Sequence, residues 1–343
     1  MSVSRGIVDA AALAASADLA LLAKTVVEGS LAGLHLDLRP GAGMAFRQYR
    51  PYLPGDDLRR VDWQVYARSD RLMVREAEVD REMRVRILLD ASLSMASTDP
   101  ASGRAGPAPS KLDYARRLAA CIAYLLERQG DRLEVHALTG GRRQDLVAAQ
   151  GSGRVPRSRS GSPGLAPLCT RLAQLEPAGR WPAWSALAPI LAGPGHAREL
   201  TVVLSDLYQQ RDEVRATLRG LAAAGCEILV VQMLGRAELE LSWHGDVMFE
   251  DLESGETVRT DADALRPIYR QRLRAMLGAW RRQVLDLGGD YHLLITDQPL
   301  AEALRALLTR RLAARGGRAA RAADGGPTAG LPAGHARAPG GPR

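Results

Sequence analysis

Short apolar runs alternate with longer amphipathic segments from residue 84 onward, the pattern of strands separated by helices. The apolar runs have the length of buried strands and fall at 84–89, 133–138, 200–204, 227–232 and 290–295. Between most of them, apolar residues recur at helical spacing. Because parallel strands need long crossover connections, this order predicts an α/β fold with a doubly wound, mostly parallel sheet covered on both faces.

Smaller units are predicted outside this alternation. Leucines at helical spacing predict a helix over 8–28, a compact polar and aromatic block occupies 46–70, and residues 240–260 predict a β insertion with a turn at Ser254-Gly255. The last residues are rich in Gly, Pro and Arg and lack side chains that pack, so they are predicted to be disordered. The predicted units are the N-terminal helix and polar–aromatic block packing on the main domain (1–80), the main domain (81–312) and the disordered basic tail (313–343).

The net charge of +7 is concentrated in the tail. Residues 313–343 hold five arginines against Asp324, a net +4, which leaves +3 for the rest of the chain. A folded part so close to neutral is not a strong polyanion binder, so no specific nucleic-acid partner is predicted. Binding of nucleic acid through the tail and the loop at 154–159 remains a weaker alternative.

Cysteine spacing and hydropathy bear on the compartment. The three cysteines lie far apart and match neither a metal motif nor a disulfide framework, which fits a reducing compartment. No run of roughly 18 apolar residues is available to span a membrane. A cytoplasmic location is therefore predicted.

Carboxylates and hydroxyls follow two of the predicted strands. Asp90, Ser92 and Ser94 come directly after the run at 84–89, and Asp206 follows the run at 200–204, with Ser205 between them. Because ligands bind beyond the carboxyl ends of strands in open α/β sheets, these side chains predict an all-oxygen site suited to Mg²⁺ or Mn²⁺. The alternative is that Asp90 caps a turn and the serines cap the next helix.

Two motifs carry a family resemblance. The run Asp90-Ala-Ser-Leu-Ser-Met95, with Val202 to Asp206, resembles the metal-ion-dependent adhesion site of von Willebrand factor A domains. The block from Tyr49 to Trp63, with Pro-Gly-Asp-Asp at its centre and Ala-Arg soon after it, resembles the signature of the bacterial family called "domain of unknown function 58". The resemblance covers about residues 30–310.

That resemblance implies a von Willebrand A-like domain that acts as a non-enzymatic protein-binding module. It also implies a MoxR-type AAA+ ATPase as companion, with the pair working in maturation or remodelling of an unknown target protein. One feature departs from the pattern, since adhesion sites add a mid-domain threonine. The corresponding segment, 179–187, contains no threonine; Pro182 stands near its place, and Ser185 lies at the wrong offset.

Aromatic and charged residues predict two partner-binding regions. Arg59, Asp62 and Trp63 belong to the Pro-Gly-Asp-Asp block, which is either a docking surface or a clasp holding the N-terminal segment on the main domain. Trp181 and Trp184 lie in the loop beside the predicted site. They either face a partner or plug the site where the threonine is missing.

An enzymatic alternative places Asp90 as the nucleophile of a magnesium-dependent phosphatase, with Asp206 holding the ion. Haloacid-dehalogenase-type phosphatases carry a second carboxylate two residues after the nucleophile, and here that position is Ser92. The chain also lacks a phosphate-binding P-loop and a Gly-x-Ser-x-Gly nucleophile elbow. A non-enzymatic binding module is therefore the favoured prediction.

Overall fold

The computed structural model describes residues 10–31, 46–52, 61, 63–77, 83–99, 109–129, 131–147, 165–191, 199–208 and 211–309. The predicted tail, 313–343, lies outside these residues. The strands are β1 (Phe46–Pro51), β2 (Met73–Ala77), β3 (Arg84–Asp90), β4 (Arg132–Thr139), β5 (Arg142–Val147), β6 (Glu199–Ser205), β7 (Glu227–Leu234), β8 (Asp246–Glu250), β9 (Thr257–Asp261) and β10 (Asp290–Ile295). The helices are α1 (Ala10–Leu31), α2 (Trp63–Ser69), α3 (Lys111–Gln129), α4 (Leu165–Ala173), α5 (Trp184–Leu187), α6 (Arg211–Ala223), α7 (Arg236–Glu240), α8 (Ala262–Asp286) and α9 (residues 300–309).

Six strands form the central sheet in the order β10-β7-β6-β3-β4-β5. Five of them run parallel, and β5 pairs antiparallel with β4 at one edge. The β4–β5 turn is formed by Gly140 and Gly141, both at positive φ, which a two-residue hairpin turn requires. The predicted α/β class with a mostly parallel sheet is confirmed.

Alternate residues of each strand pack on opposite faces of the sheet. On one face, Val85, Ile87 and Leu89 of β3 pack with apolar residues of α1, α3, α4 and α9. On the other face, Leu88 and its neighbours pack with α6 and α8. When a strand is covered on both faces, the side chains on both faces are buried. This explains why these strands appear as continuous apolar runs in the sequence.

The N-terminal helix α1 is part of the first of these cores. Its residues Leu19, Ala23 and Val27 are buried among α3 and α4 side chains, while Leu21 on the opposite side is exposed. In the described part of the chain, every helix is too short or too polar to cross a lipid bilayer.

The insertion predicted at 240–260 is present as a separate two-stranded sheet. Strands β8 and β9 pair antiparallel from Asp246↔Asp261 to Glu250↔Thr257. Helix α8 begins directly after β9, where the Asp261 carboxylate caps it by accepting hydrogen bonds from the backbone N–H groups of Asp263 and Ala264. The hairpin therefore stands on the start of α8, beside the carboxyl ends of the sheet strands.

The ring of Trp184 leaves no room for a side chain at Gly220 of α6, because a β-carbon at this position would lie 2.2 Å from that ring. We expect Gly220→Ala to lower the free energy of unfolding by about 1–3 kcal/mol, since overpacking outweighs the better helix propensity of alanine. Chemical denaturation measures this change. The control is Gly278→Ala in α8, where the nearest atom is the end of the Arg282 side chain at 3.5 Å; a stabilised Gly220→Ala protein would contradict the packing argument.

Candidate functional site

Asp90 and Asp206 meet at the carboxyl edge of the sheet. Asp90 is the last residue of β3, and Asp206 directly follows β6, the neighbouring parallel strand. From β3 the chain crosses to β4 on one side, while β6 and β7 extend the sheet on the other. The two side chains thus lie at the point where the strand order reverses, the usual ligand position in doubly wound sheets.

Hydrogen bonds hold the Asp90 carboxylate in place. Ser205 Oγ donates to Asp90 Oδ2 at 2.5 Å, and the backbone N–H of Ser92 donates to Asp90 Oδ1 at 2.9 Å. The Ser92 and Ser94 hydroxyl oxygens lie 3.1 Å apart. Asp90 and Ser92 are buried, while Ser94 is half-buried and faces a cleft. The structure therefore brings all four predicted metal residues to one edge of the sheet.

Lys111, at the start of α3, forms an ion pair with Asp206 that the sequence did not predict. Its Nζ donates to Asp206 Oδ2 at 2.7 Å and to Glu238 Oε1 at 2.8 Å, and it lies 5.2 Å from the centre of the Tyr208 ring. Burial by itself lowers the pKa of Lys111, but the two carboxylates outweigh burial and raise this pKa above its ordinary value. The ammonium group is therefore charged at neutral pH.

Glu253, at the tip of the β8–β9 hairpin, is a second site residue that the sequence did not predict. Burial, followed by the negative charges of Asp90 and Asp206, raises the pKa of Glu253 to about 7. Its Oε1 atom is buried and accepts no hydrogen bond from the described residues. The negative charges of Asp90 and Asp206 thus act on a carboxylate of the hairpin.

The electrostatic balance of the site is negative. Burial is the largest cause that raises the pKa of Asp90 to about 6; the Asp206 charge adds to it, and the hydrogen bonds from Ser205 and Ser92 oppose it. Lys111 pairs with Asp206, and the charge of Arg180 lowers the pKa of Glu253. Carboxylates held together without enough positive charge favour protonation or a bound cation.

A cleft of about 610 Å³ opens beside these residues. Its walls come from the sheet edge, α3, the loop after α7 and the hairpin. They include Ser94, Lys111, Tyr208, Trp243, Phe249 and Leu252. The lining also holds four carboxylates, Glu238, Glu250, Asp251 and Glu256. A partner side chain approaching Ser94 would pass through a cleft that is both apolar and acidic.

The oxygen atoms at this edge are of the kinds that divalent cations of the magnesium type prefer as ligands, namely carboxylate and hydroxyl oxygens. Within the described ranges, no three His, Cys, Asp or Glu side chains are already grouped to hold a metal ion. Serine hydroxyls would therefore supply much of the coordination, and magnesium stays a prediction.

The mid-domain segment packs against the Asp90–Ser94 loop through its backbone. Leu93 N donates to Gly179 O at 3.1 Å, and Ala178 N donates to Ala91 O at 2.9 Å. Pro182 is buried, and Ser185 is exposed rather than turned into the site. The segment 179–187 thus directs no side-chain hydroxyl toward the Asp90–Ser94 loop.

The prediction that Trp181 faces a partner is wrong. Trp181 is 3% exposed, packs in the core between the sheet and α6, and donates from its indole nitrogen to Thr217 Oγ1 at 3.3 Å. Trp184 packs at the margin of the same core, over Gly220. The loop folds across the face of the sheet, so these rings complete a core and do not plug the site.

The other predicted partner residues lie in the N-terminal block. Trp63 begins α2, is 57% exposed and meets Tyr66 edge to face with ring centres 6.2 Å apart. Arg59 and Asp62 lie outside the described residues. An exposed aromatic pair is compatible with docking, which stays a prediction for Trp63.

The phosphatase alternative finds little support in the geometry of Asp90. Both carboxylate oxygens already accept hydrogen bonds, and the residue is 3% exposed. In-line attack on a phosphate needs an open oxygen facing the substrate. The arrangement suits an oxygen ligand or an orienting group better than a nucleophile.

The chain matches a protein family over most of its length. The family model described as "Protein of unknown function DUF58" matches residues 48–276. The uncharacterized proteins Rv1480 of Mycobacterium tuberculosis and Mb1516 of Mycobacterium bovis are each 32% identical over 323 residues, which cover 92% of this chain and 95% of theirs.

Two solved bacterial structures are similar to this chain at low sequence identity. BatB of Bacteroides thetaiotaomicron, a conserved hypothetical protein, is 14% identical, with a TM-score of 0.39, over 66% of this chain and 98% of that one. An aerotolerance-related membrane protein of Bacteroides fragilis is 17% identical, with a TM-score of 0.39, over 66% and 99%. At these TM-scores the likeness carries no argument about function.

Proposed function

This chain belongs to the DUF58 family of proteins of unknown function, and on that premise we propose that it is a protein-binding module rather than an enzyme. Its binding face is the carboxyl edge of the central sheet, around Asp90, Ser92, Ser94 and Asp206. The partner contributes an acidic side chain, which enters through the cleft beside Ser94.

One observation carries this proposal. Asp90 and the two serines after it end the strand at which the strand order reverses, and Asp206 ends the adjacent strand. The antiparallel edge strand β5 and the strand order support a von Willebrand A-like domain, the type that the sequence resembles. In a domain of this type, an edge rich in hydroxyl groups binds a protein ligand without catalysing a reaction on it.

A divalent cation would be held by Asp90, Ser92, Ser94 and Asp206. When bound, it supplies an electrophilic centre for the carboxylate of the partner, because neutral hydroxyl ligands leave much of its charge uncompensated. The chain itself contributes orientation. Ser205 and the Ser92 backbone fix the Asp90 carboxylate, and Lys111 and the Tyr208 backbone N–H fix that of Asp206.

The proposed companion is a MoxR-type AAA+ ATPase, and the proposed work of the pair is maturation or remodelling of another protein. This part of the proposal, and the cytoplasmic location, rest on the family resemblance of the Pro-Gly-Asp-Asp block and the Asp90 motif. The exposed ring of Trp63 is the proposed second contact point for the ATPase.

Calorimetric titration with Mn²⁺ tests the binding face. We expect saturable binding by the unmodified chain and affinity at least tenfold lower in the Ser92→Ala, Ser94→Ala double variant, which loses both hydroxyl ligands. The control is Ser185→Ala, because that exposed serine lies in the neighbouring loop and is expected to leave the affinity unchanged.

Two further measurements decide between a binding module and an enzyme. A purified MoxR-type ATPase should bind the unmodified chain, and the Ser92→Ala, Ser94→Ala variant should bind it more weakly if the edge of the sheet is the contact. Hydrolysis of p-nitrophenyl phosphate that disappears in Asp90→Asn would overturn the proposal in favour of the phosphatase.

A further inference from the structure

The lining of the cleft beside Ser94 carries a net negative charge. Its ionisable side chains are four carboxylates and one lysine, namely Glu238, Glu250, Asp251, Glu256 and Lys111. Lys111 already pairs with Glu238 and with Asp206. Glu250 and Glu256 are exposed, and neither forms an ion pair with another described residue. The hairpin wall of the cleft therefore offers carboxylates to a basic ligand.

Aromatic and aliphatic side chains form the rest of the cleft. Trp243 and Phe249 meet edge to face with ring centres 5.7 Å apart. Leu252 and Val258 line the same cleft and are exposed, although both are apolar. A guanidinium group pairs with carboxylates and stacks on aromatic faces. This combination of walls therefore suits arginine side chains better than acidic ones.

The basic tail, 313–343, supplies arginines of this kind. It holds five arginines against one carboxylate, Asp324, and its first three arginines recur every third residue at Arg315, Arg318 and Arg321. The residues between these three are glycine and alanine, which add little bulk beside the guanidinium groups. The tail and the cleft are thus complementary in charge.

The tail begins within reach of the cleft. Thr296, shortly before α9, lines a small cavity that shares Lys111, Glu238 and Trp243 with the cleft. Helix α9 then spans residues 300–309, a length of about 15 Å. The chain from the end of α9 to Arg321 can extend over about 40 Å, more than twice the length of the helix. The arginines can therefore return to the cleft.

We propose that the basic tail, through Arg315, Arg318 and Arg321, binds the acidic and aromatic cleft of its own chain. Its guanidinium groups pair with Glu250 and Glu256 and stack on the ring of Trp243. The bound tail covers the route to Ser94, so that a partner competes with the tail for the binding face. This competition rests on the proposed function, whereas the contact between the tail and the cleft does not.

Fluorescence anisotropy of a labelled peptide of residues 313–327 tests the contact. The receptor is the full-length chain with Arg315→Gln, Arg318→Gln and Arg321→Gln, called the tail variant. We expect saturable binding at low salt and at least a fivefold loss of affinity when Glu250→Gln and Glu256→Gln are added. The matched control adds Asp212→Asn and Asp286→Asn instead. It removes two exposed carboxylates outside the cleft lining and should change the affinity by less than twofold.

The unmodified chain should bind the same peptide at least tenfold more weakly than the tail variant, because its own tail competes at a high effective concentration. Equal affinity in these two chains, or no peptide binding at all, overturns the contact. Equal affinity in the Glu250→Gln, Glu256→Gln receptor and its control places the peptide outside the cleft and overturns it as well. A dimer of the unmodified chain that dissociates in the tail variant assigns the tail to a second copy and overturns the contact within one chain.

The competition with a partner has its own test. A MoxR-type ATPase should bind the tail variant at least threefold more tightly than the unmodified chain. Equal affinity overturns the covering of the binding face and leaves the tail contact in place. Absence of both Mn²⁺ binding and ATPase binding in every variant overturns the proposed function alone, because the peptide measurement uses neither the ion nor the ATPase.

Discussion

Replacing Lys111 by methionine is expected to lower the free energy of unfolding by about 3–5 kcal/mol in metal-free protein. The lysine side chain is 3% exposed, and its ammonium group pairs with Asp206 and Glu238. Methionine fills a similar volume but leaves the Asp206 carboxylate buried next to Asp90 without a cation. The cost is that of an unpaired buried charge, which exceeds the small net value of an exposed ion pair.

Denaturant unfolding in the presence of a chelator measures this loss. The chain has only one other lysine, Lys24 on α1, and it is exposed. Lys24→Met is therefore the matched control and should change the free energy of unfolding by no more than about 0.5 kcal/mol. A Lys111→Met protein as stable as the control would show that Lys111 does not neutralise the site.

In metal-free protein, the stability of the Asp90→Asn variant relative to the unmodified chain is expected to increase from acid to alkaline pH. In the folded chain, burial and the Asp206 charge raise the pKa of Asp90 from 3.8 to about 6. A carboxyl group with a raised pKa holds its proton more tightly when folded than when unfolded. Its contribution to stability is thus complete below pH 3.8 and is lost as the pH rises through about 6.

Asparagine does not titrate, so the Asp90→Asn protein does not lose stability in this way as the pH rises. The advantage of Asp90→Asn over the unmodified chain should grow by about 2 kcal/mol between pH 4.5 and pH 8. The Asp90 charge also raises the pKa of Glu253, so removing that charge changes stability with pH in the same direction. The change with pH is the measured quantity, because a disturbed hydrogen bond to Ser205 shifts the variant equally at both pH values.

Denaturation midpoints at the two pH values, with chelator present, test this expectation. The control is Asp212→Asn in α6, a 94% exposed carboxylate away from the site, which reports any general effect of exchanging Asp for Asn. A constant difference for Asp90→Asn would mean that Asp90 is not destabilised by its surroundings. Addition of Mg²⁺ to the unmodified chain should reverse its alkaline loss, because an ion that binds only the folded state stabilises it.

Much of the fold was predictable because strands that are buried on both faces of a sheet appear in the sequence as continuous apolar runs. The run at 84–89 and its counterparts are apolar at successive positions, and each corresponds to a strand of the central sheet. The β4–β5 turn was predictable for a local reason as well, since Gly140-Gly141 permits the positive φ values that the turn needs.

The candidate site was predictable only where its residues follow strand ends. Asp90 and Asp206 converge because parallel neighbours end at the same edge, which the strand pattern implies. Lys111 gave a single faint signal, as one of only two lysines in an arginine-rich chain. Glu253 gave none, because acidic residues near a Ser-Gly turn are ordinary surface residues.

Trp181 shows where reasoning from the sequence failed. A tryptophan in a loop beside a proline resembles an exposed contact residue, yet the segment folds across one face of the sheet and the ring enters the core. The difference lies in long-range packing against α6, which no local pattern encodes.

By itself, the sequence determined the strands, the mostly parallel sheet and the placement of Asp90, Ser92, Ser94 and Asp206 at strand ends. Side-chain periodicity and the ends of apolar runs are local properties, so they can be recognised in the sequence. The tertiary structure alone decided the charge balance of the site. It brought Lys111 to Asp206 across 95 positions, and it lets the charges of Asp90 and Asp206 raise the pKa of Glu253. Ion pairs and uncompensated charges depend on distances in space and on burial, and neither is written in the order of the residues.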